Sequence, residues 1–504
     1  MEKTFAIVGC GATAISFLDR HLTRVEADGV EPGNIFIFEK RLEFGCGAAY
    51  EPDMPSNILN TKTGFITPFP NQPGHFHAWL EENPKEWRSA FPFFDTDPHG
   101  YAPRPLFGLY LRAQVRRLVN RGASLGCRIV LIQAEVSELD HHDRSEILKT
   151  SCGLVLRADK VFLFCGTLGK QASTDAHDGR ILDAPYPVSC LGEKIERNDR
   201  VAILGARLSA IDAVIALIEG GHRGKIRMHS RSGYFPVVRG TQSRISLQRL
   251  TPDRIRALCE AKGKLDIRDV VALFHEERLA QDPVGEAAAM DLPSPPADLA
   301  AFLGEEIRAS QEPRLWQAIL YATNGFIEVL WAALSEDAQL RFMNNYFSMF
   351  MAYRVSIPIE NARKILGYLS TGQLEFLAGP FAAPDLLPEG FVTIATEAGN
   401  SYEYDRVIYA IGAPREAAKL DSPLLRKLIE QEVCHCHPMG GIRVCPISYR
   451  LLGDPGTSRE IYAVGELTVG QNFFTSALEI NARHAYRCAD ALSPERDEAI
   501  LLRA

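Results

Sequence analysis

The stretch FAIVGCGATAIS, residues 5–16, constrains the fold more than any other part of the chain. Phe5-Ala6-Ile7-Val8 is an unbroken apolar run, as expected of a parallel strand buried on both faces. Gly9, Gly11 and Ala14 follow on the G-x-G-x-x-A spacing. The first glycine permits a tight turn, the second lets backbone approach a pyrophosphate, and the small third residue lets helix pack on strand. The helix that starts there offers unpaired N–H groups to the anion. Alone, the spacing also fits a structural turn in a buried βα unit. The next strand, in NIFIFEK, narrows the choice by ending at Glu39. An acid at that tip accepts the hydroxyls of an adenosine ribose and repels a 2′-phosphate, so this site predicts FAD or NAD rather than NADP.

A second signal lies in DRVAILGARLSAIDAVIALI. The strand Val201–Leu204 meets Gly205, and a helix follows with Ser209, Ala210 and Asp212. Arg207 stands where the middle glycine belongs, which fits either a decayed site or a guanidinium that itself meets a phosphate. The next strand, KIRMHSRSGYFP, carries Ser230-Arg231 where the first unit has Glu39. A hydroxyl and a guanidinium are what a 2′-phosphate requires, so this site predicts NADPH, against the alternative of a solvated arginine in a turn.

The expected fold is α/β, with two Rossmann-like dinucleotide-binding domains (FAD and NAD(P)H) and a helical insertion. Residues 1–195 form the first part of the FAD domain and 196–245 the first part of the NAD(P)H domain. Residues 246–355, where apolar residues recur at helical spacing, form the insertion, a substrate or lid region. Residues 356–415 return to the NAD(P)H domain, and 416–504 complete the FAD domain. CRIVLIQAEVSEL reads as one strand, LVLRADKVFLFCGTLGK as a hairpin and strand, and the Pro-rich DLPSPPADLAAFLG as a loop.

A chain of 504 residues has room for two or three domains. Its net charge of −8, without a basic stripe, disfavours a nucleic-acid partner. No apolar run is long enough to span a bilayer, and no signal peptide precedes the first strand. The eleven cysteines are scattered, Cys10, Cys165 and Cys488 among apolar neighbours, which reads as reduced, cytoplasmic usage.

In IYAVGELTVG a short apolar strand leads to Gly465-Glu466, and TSALEINARHAYRCADAL then opens a helix. With GCGATA, FEK, GCGAAYEPDMPSNILNTKTG, YAPRPLFGLYL, LGARLSAID and HSRSGYFP, these segments resemble bacterial FAD/NAD(P)-binding flavoproteins related to the class B flavin monooxygenases. That group includes N-hydroxylating, flavin-containing and Baeyer–Villiger enzymes. LGARLSAID looks like the G-x-G-x-S-A-x-E segment of the N-hydroxylases, with Arg207 and Asp212 as departures. The F-x-G-x-x-x-H-x-x-x-W segment of Baeyer–Villiger enzymes is absent.

The resemblance implies that Glu466 serves the ribityl or pyrophosphate end of FAD, and that the last helix aims its N-terminus at the flavin. It implies cofactor contacts from Lys40, Asn60, Thr61, Val136, Cys165, Gly166, Gly465, Thr475 and Ser476, beside Gly9, Gly11, Ala14 and Glu39. Gly205, Arg207, Ser209, Ser230 and Arg231 would hold NADPH. The expected reaction is N-hydroxylation of a small amine or amino acid by a flavin C4a-hydroperoxide, with a small-molecule substrate and O2 as partners and a homo-oligomer left open. Lys62 and Arg104 are candidates for polar groups near the flavin, and Arg354 for a substrate carboxylate. An FAD-dependent NAD(P)H reductase without oxygen transfer and a non-catalytic nucleotide sensor stand as alternatives.

CHCHPMGGIRVC offers Cys434, His435, Cys436, His437 and Cys445, but not at zinc-knuckle spacing, so no metal is expected. Cys46 lacks a nearby partner for thiol–disulfide chemistry. His75 and His77 read as loop histidines before an acid–base pair. Trp316, Tyr321, Phe326 and Trp331 read as core.

Overall fold

A computed structural model of the chain describes residues 3–170, 179–282, 292–388, 390–454 and 459–492. The chain divides into two compact units, one of residues 1–55, 61–172 and 413–504, the other of 56–60 and 173–412.

The first unit is built on a five-stranded sheet in the spatial order Ile461–Ala463, Lys160–Leu163, Thr4–Val8, Asn34–Glu39, Arg128–Gln133. All its pairings are parallel. Val8 lies level with both Phe38 and Leu163, and Leu163 with Ala463, so the strands end together at one edge. The central strand is apolar from Phe5 to Val8 because helices cover both faces of such a sheet. The helix Ala12–Ala27 sets Ala14, Ile15, Phe17, Leu18 and Leu22 into the core. It packs against the helix Leu478–Asp490, where Arg20 meets Asp490 at 2.6 Å and the Tyr486 hydroxyl donates to Asp19 at 2.6 Å. An antiparallel sheet of Val136–His142, Ser145–Thr150 and Val155–Ala158 packs through Leu139 and Leu148 on Leu425 and Leu428 of the helix Pro423–Glu430.

The second unit repeats the plan with Leu374–Ala378, Ile226–Ser230, Val201–Leu204, Arg406–Tyr409 and Ile181–Leu182, again all parallel. Leu204 lies level with His229 and Tyr409. A small antiparallel sheet, Asp385–Leu386, Val392–Ala395 and Ser401–Tyr404, covers part of it. Helices fill most of 252–354.

Several expectations need correction. CRIVLIQAEVSEL is two strands in two different sheets, parted at Ala134-Glu135. The strands Val155–Ala158 and Lys160–Leu163 do not pair with each other, since the first closes the antiparallel sheet and the second enters the parallel one. The first domain was expected to run to 195, but Ile181–Leu182 pairs with Val407-Ile408, so the boundary falls at 172. In DLPSPPADLAAFLG, Asp291 lies outside the described residues. Asp298 caps a helix from Leu299 by accepting the Ala300 and Ala301 N–H groups, so only the first half is loop. Gly263, at φ +79°, separates the helices Pro252–Lys262 and Ile267–Gln281 within the insertion, and Asp266 and Asp269 form a capping box for the second. Among the described residues, no helix is long and apolar enough to cross a membrane.

Candidate functional site

The carboxyl edge of the first sheet holds a cleft lined by Gly9, Gly11, Glu39–Arg41, Gly47-Ala48 and Phe164–Gly166. Gly9 sits at φ +97°, and a Cβ there would lie 2.3 Å from the Phe164 carbonyl oxygen. Only glycine fits both demands. Gly11 is extended (φ −105°, ψ −165°), so no conformational rule requires glycine there. What it supplies is space, since its Cα faces that of Gly47 and a Cβ on Gly166 would touch nothing within 4 Å. The helix Ala12–Ala27 begins at this bare floor with no side-chain cap and no acid in its first turn. Its free N–H groups therefore face the cleft without a protein partner of opposite charge, which suits a pyrophosphate.

Glu39 is buried at the strand tip and lines the same cleft. Its Oε2 accepts the Cys10 N–H at 3.0 Å and its Oε1 the Arg41 N–H at 3.1 Å. Those bonds fix the carboxylate and leave acceptor capacity for further donors. Lys40 pairs with Glu135 at 3.3 Å, and the buried Val136 enters the lining beside them. Sequence reasoning missed Arg41, Gly47, Asp421 and Ser422, which also line the cleft. The Ser422-Pro423 pair was the available signal, for the Ser422 hydroxyl caps the helix Pro423–Glu430 by accepting the Leu425 N–H.

Beyond the last strand, Gly465 turns at φ +95°, and a Cβ there would come 4.0 Å from Thr13 Oγ1. The turn thus lies beside the first turn of the helix Ala12–Ala27. Burial raises the Glu466 carboxyl above its ordinary range, opposed by the Thr475 hydroxyl and the Arg415 guanidinium. Thr475 is buried, Ser476 is exposed, and the final helix starts at Leu478 after Ala477, again without a side-chain cap.

In the second unit Gly205 repeats the role of Gly9. It sits at φ +126°, with a Cβ position 2.4 Å from the Ala410 carbonyl oxygen. Arg207 occupies the N-cap position of the helix Leu208–Glu219 without a side-chain cap bond, at φ −102°, ψ −167°, nearly the geometry of Gly11. An arginine is therefore unstrained there, and what it changes is charge and space. Its guanidinium lies over the Phe347 ring, 5.5 Å from the centroid. Burial lowers its pKa. Ser209 is the second residue of that helix. Ser230 is buried at its strand end, and Arg231 is exposed, with no acid within ion-pairing distance among the described residues. Asp212 is engaged elsewhere, accepting from the Tyr186 hydroxyl at 2.7 Å.

The remaining candidates are dispersed. Lys62 opens a turn whose Phe65 and Ile66 N–H groups donate to its carbonyl. Arg104 begins the helix Arg104–Ser124 near Tyr50, whose hydroxyl is pushed up to about 12 by burial while Arg104 pulls it down. Arg354 is buried in the second unit, bonded to Asn324 and 5.1 Å from the Tyr321 ring centroid. None of the three lines the Glu39 cleft. The Asn60 carbonyl accepts from Arg239 at 2.8 Å, and Thr61 is half-buried.

His75 Nδ1 lies 2.8 Å from the Tyr110 hydroxyl, and His77 Nε2 2.8 Å from the Thr96 carbonyl. Trp331 and Phe326 are core, whereas Trp316 and Tyr321 are only half-buried. Among the described residues no group of three or more His, Cys, Asp or Glu side chains is placed to hold a metal ion.

Two doubly wound parallel sheets, each with a glycine turn and an uncapped helix at its carboxyl edge, define a two-dinucleotide fold. Residues 6–168 match the sequence model of a family described as FAD-NAD(P)-binding. An Escherichia coli (strain K12) protein described as uncharacterized, YdhS, is 23% identical over 473 residues, covering 85% of this chain and 87% of that one. The fold is that of the ornithine N-hydroxylase of Kutzneria sp. 744, solved with reduced FAD, NADP+ and L-ornithine (TM-score 0.56, 15% identity, 99% of this chain and 100% of that one). The bacillithiol disulfide reductase of Staphylococcus aureus is also similar (TM-score 0.50, 12% identity, 98% of each chain).

Proposed function

We propose that this chain is an FAD-dependent, NADPH-using monooxygenase that N-hydroxylates a small amine or amino acid. The observation that carries the reading is the opposed chemistry of two equivalent strand tips. A buried, pre-oriented carboxylate stands at one, and a buried hydroxyl followed by an exposed guanidinium at the other. The first suits a nucleotide without a 2′-phosphate, the second a nucleotide with one. A chain with one tip of each kind is suited to FAD and NADPH together.

In this reading Glu39 accepts the adenosine ribose hydroxyls, and Gly9, Gly11 and Ala14 bring the helix Ala12–Ala27 to the FAD pyrophosphate. Gly47, Val136 and the Cys165-Gly166 turn complete the wall, with Lys40 and Glu135 at its rim. Gly465, Glu466, Thr475 and Ser476 serve the flavin end. The N-terminus of the helix Leu208–Glu219 takes the NADPH pyrophosphate, with Ser209 and Arg207, while Ser230 and Arg231 take the 2′-phosphate. Bound FAD supplies the electron transfer from coenzyme to oxygen. The protein's part is to hold the reactants close and keep the substrate amine neutral and dry. Lys62, Thr61 and Asn60 stand on the segment assigned to the flavin and substrate, whose Thr63 and Gly64 N–H groups donate to the Gly100 and Pro98 carbonyls just ahead of Arg104, and Arg354 ends the helix Phe347–Arg354 of the insertion.

The ornithine N-hydroxylase fold, matched over nearly the whole of both chains, supports oxygen transfer. The disulfide reductase fold, matched over as much, supports a second reading, a reductase without oxygen transfer. The test is purification with flavin identification, then anaerobic reduction by NADPH or NADH, then a screen of amines and amino acids for substrate-dependent NADPH consumption and hydroxylamine formation. Coenzyme consumption that yields only reduced disulfide or peroxide would favour the second reading.

A further inference from the structure

Arg207 is unusual among the cations of the second unit. It is half-buried at the N-terminus of a twelve-residue helix whose own peptide dipoles already place positive charge there. That helix has no acid in its first turn, and among the described residues no carboxylate comes within ion-pairing distance of the Arg207 guanidinium. Arg314, also in this unit, faces Glu306 at 2.8 Å instead. The Arg207 side chain lies on Phe347, the first residue of the helix Phe347–Arg354 in the insertion. An aromatic face holds a guanidinium by its plane and leaves the N–H edge free for planar or tetrahedral oxyanions.

We infer that Phe347 is a positioning residue for the coenzyme: it holds the Arg207 guanidinium with its N–H edge toward the NAD(P)H pyrophosphate. This rests on the coenzyme assignment above and extends it to a residue of the helical insertion, some 140 positions away in sequence. Arg207 then takes by charge the place that a glycine would give to close backbone approach. The pyrophosphate is common to NADPH and NADH, so Phe347 contributes affinity without selecting between them.

The experiment uses the flavin-loaded full chain and its variants Phe347→Leu, Phe347→Trp, Arg207→Ala and the Phe347→Leu/Arg207→Ala double variant. Calorimetry gives the Kd for NADP+, NAD+ and nicotinamide riboside, which has no phosphate. Phe347→Leu is expected to raise the Kd for NADP+ and NAD+ by the same factor, about threefold to thirtyfold. Arg207→Ala should match or exceed that loss, and the double variant should be no worse than Arg207→Ala alone. Phe347→Trp should restore binding, and riboside affinity should not move in any variant. Near-ultraviolet dichroism and flavin content confirm that each variant is folded. A Phe347→Leu protein that binds NADP+ as the parent does, or a double variant whose losses add, would overturn the inference while leaving the coenzyme assignment standing. A folded parent that binds neither nucleotide would overturn both.

Discussion

The Glu39 carboxylate, at the tip of the second strand, accepts the N–H of Cys10, inside the first glycine turn, at 3.0 Å. Strand tip and turn are therefore one hydrogen-bonded unit, and the residue assigned to the ribose also holds the turn assigned to the pyrophosphate. Glu39→Ala should weaken FAD by more than a ribose contact alone, because the Cys10 and Arg41 N–H groups lose their acceptor as well. Each such charged bond is worth about 1.5–3 kcal/mol. Flavin retention after gel filtration and the Kd of the reconstituted apoprotein measure this. Glu39→Gln, which keeps an acceptor oxygen, should lose less, and equal retention in parent and Glu39→Ala would remove Glu39 from the site.

Gly9 and Gly153 separate crowding from backbone conformation. Both have positive φ, +97° and +87°. A Cβ on Gly9 would lie 2.3 Å from a backbone oxygen, whereas one on Gly153 would meet nothing within 4 Å. Gly153→Ala should cost only the left-handed conformation, about 1–2 kcal/mol. Gly9→Ala should cost that and force the Phe164 strand end aside, with a much larger fall in thermal midpoint and loss of flavin. Equal falls in the two variants would show that the close approach is not rigid.

The coenzyme assignment makes opposite demands on two arginines. Arg231→Ala should raise the KM for NADPH about ten- to hundredfold and leave that for NADH nearly unchanged, since only NADPH carries the 2′-phosphate. Arg207→Ala should weaken both alike. Steady-state flavin reduction with each coenzyme separates the cases, and a parent that prefers NADH would reduce Ser230-Arg231 to an ordinary turn.

Burial lowers all four buried histidines, His21, His222, His229 and His484, and three of them are shifted furthest. Burial holds His21 and His229 down to about 4 and His484 to about 3, from an ordinary value of 6.5. Each is neutral in the folded chain and takes up a proton more readily when unfolded. Their contribution is fully present above pH 6.5 and is lost as pH falls toward 4. Each histidine can steepen the decline by up to ~1.4 kcal/mol per pH unit. Thermal midpoints at pH 7, 6 and 5 should fall progressively, and His229→Asn, although less stable at pH 7 for want of its Tyr404 bond, should show a shallower fall. A midpoint independent of pH over that range would contradict this account.

The glycine turns and strand tips were legible because their chemistry is local. Gly9 and Glu39 announce themselves by spacing from an apolar run. Arg41 and Gly47 were not singled out because no fixed offset places them, only the folding of the chain after the second strand. Asp421 and Ser422 arrive from nearly four hundred residues away. CRIVLIQAEVSEL misled because its apolar content continues across Ala134-Glu135 while the backbone leaves one sheet for another. Arg207 was visible as a departure, but its partner Phe347 lies in an insertion whose helical periodicity says nothing of what each face meets.

The most direct test of the central claim is rapid mixing of the NADPH-reduced protein with oxygenated buffer, with and without a turnover-supporting amine. NADPH should bleach the flavin faster than NADH does. Oxygen should then produce a distinct absorbing species ahead of the oxidised flavin spectrum, and its decay with amine present should coincide with hydroxylamine formation. Reduced flavin that returns directly to the oxidised spectrum, with no such species and no hydroxylated product, would contradict the monooxygenase assignment.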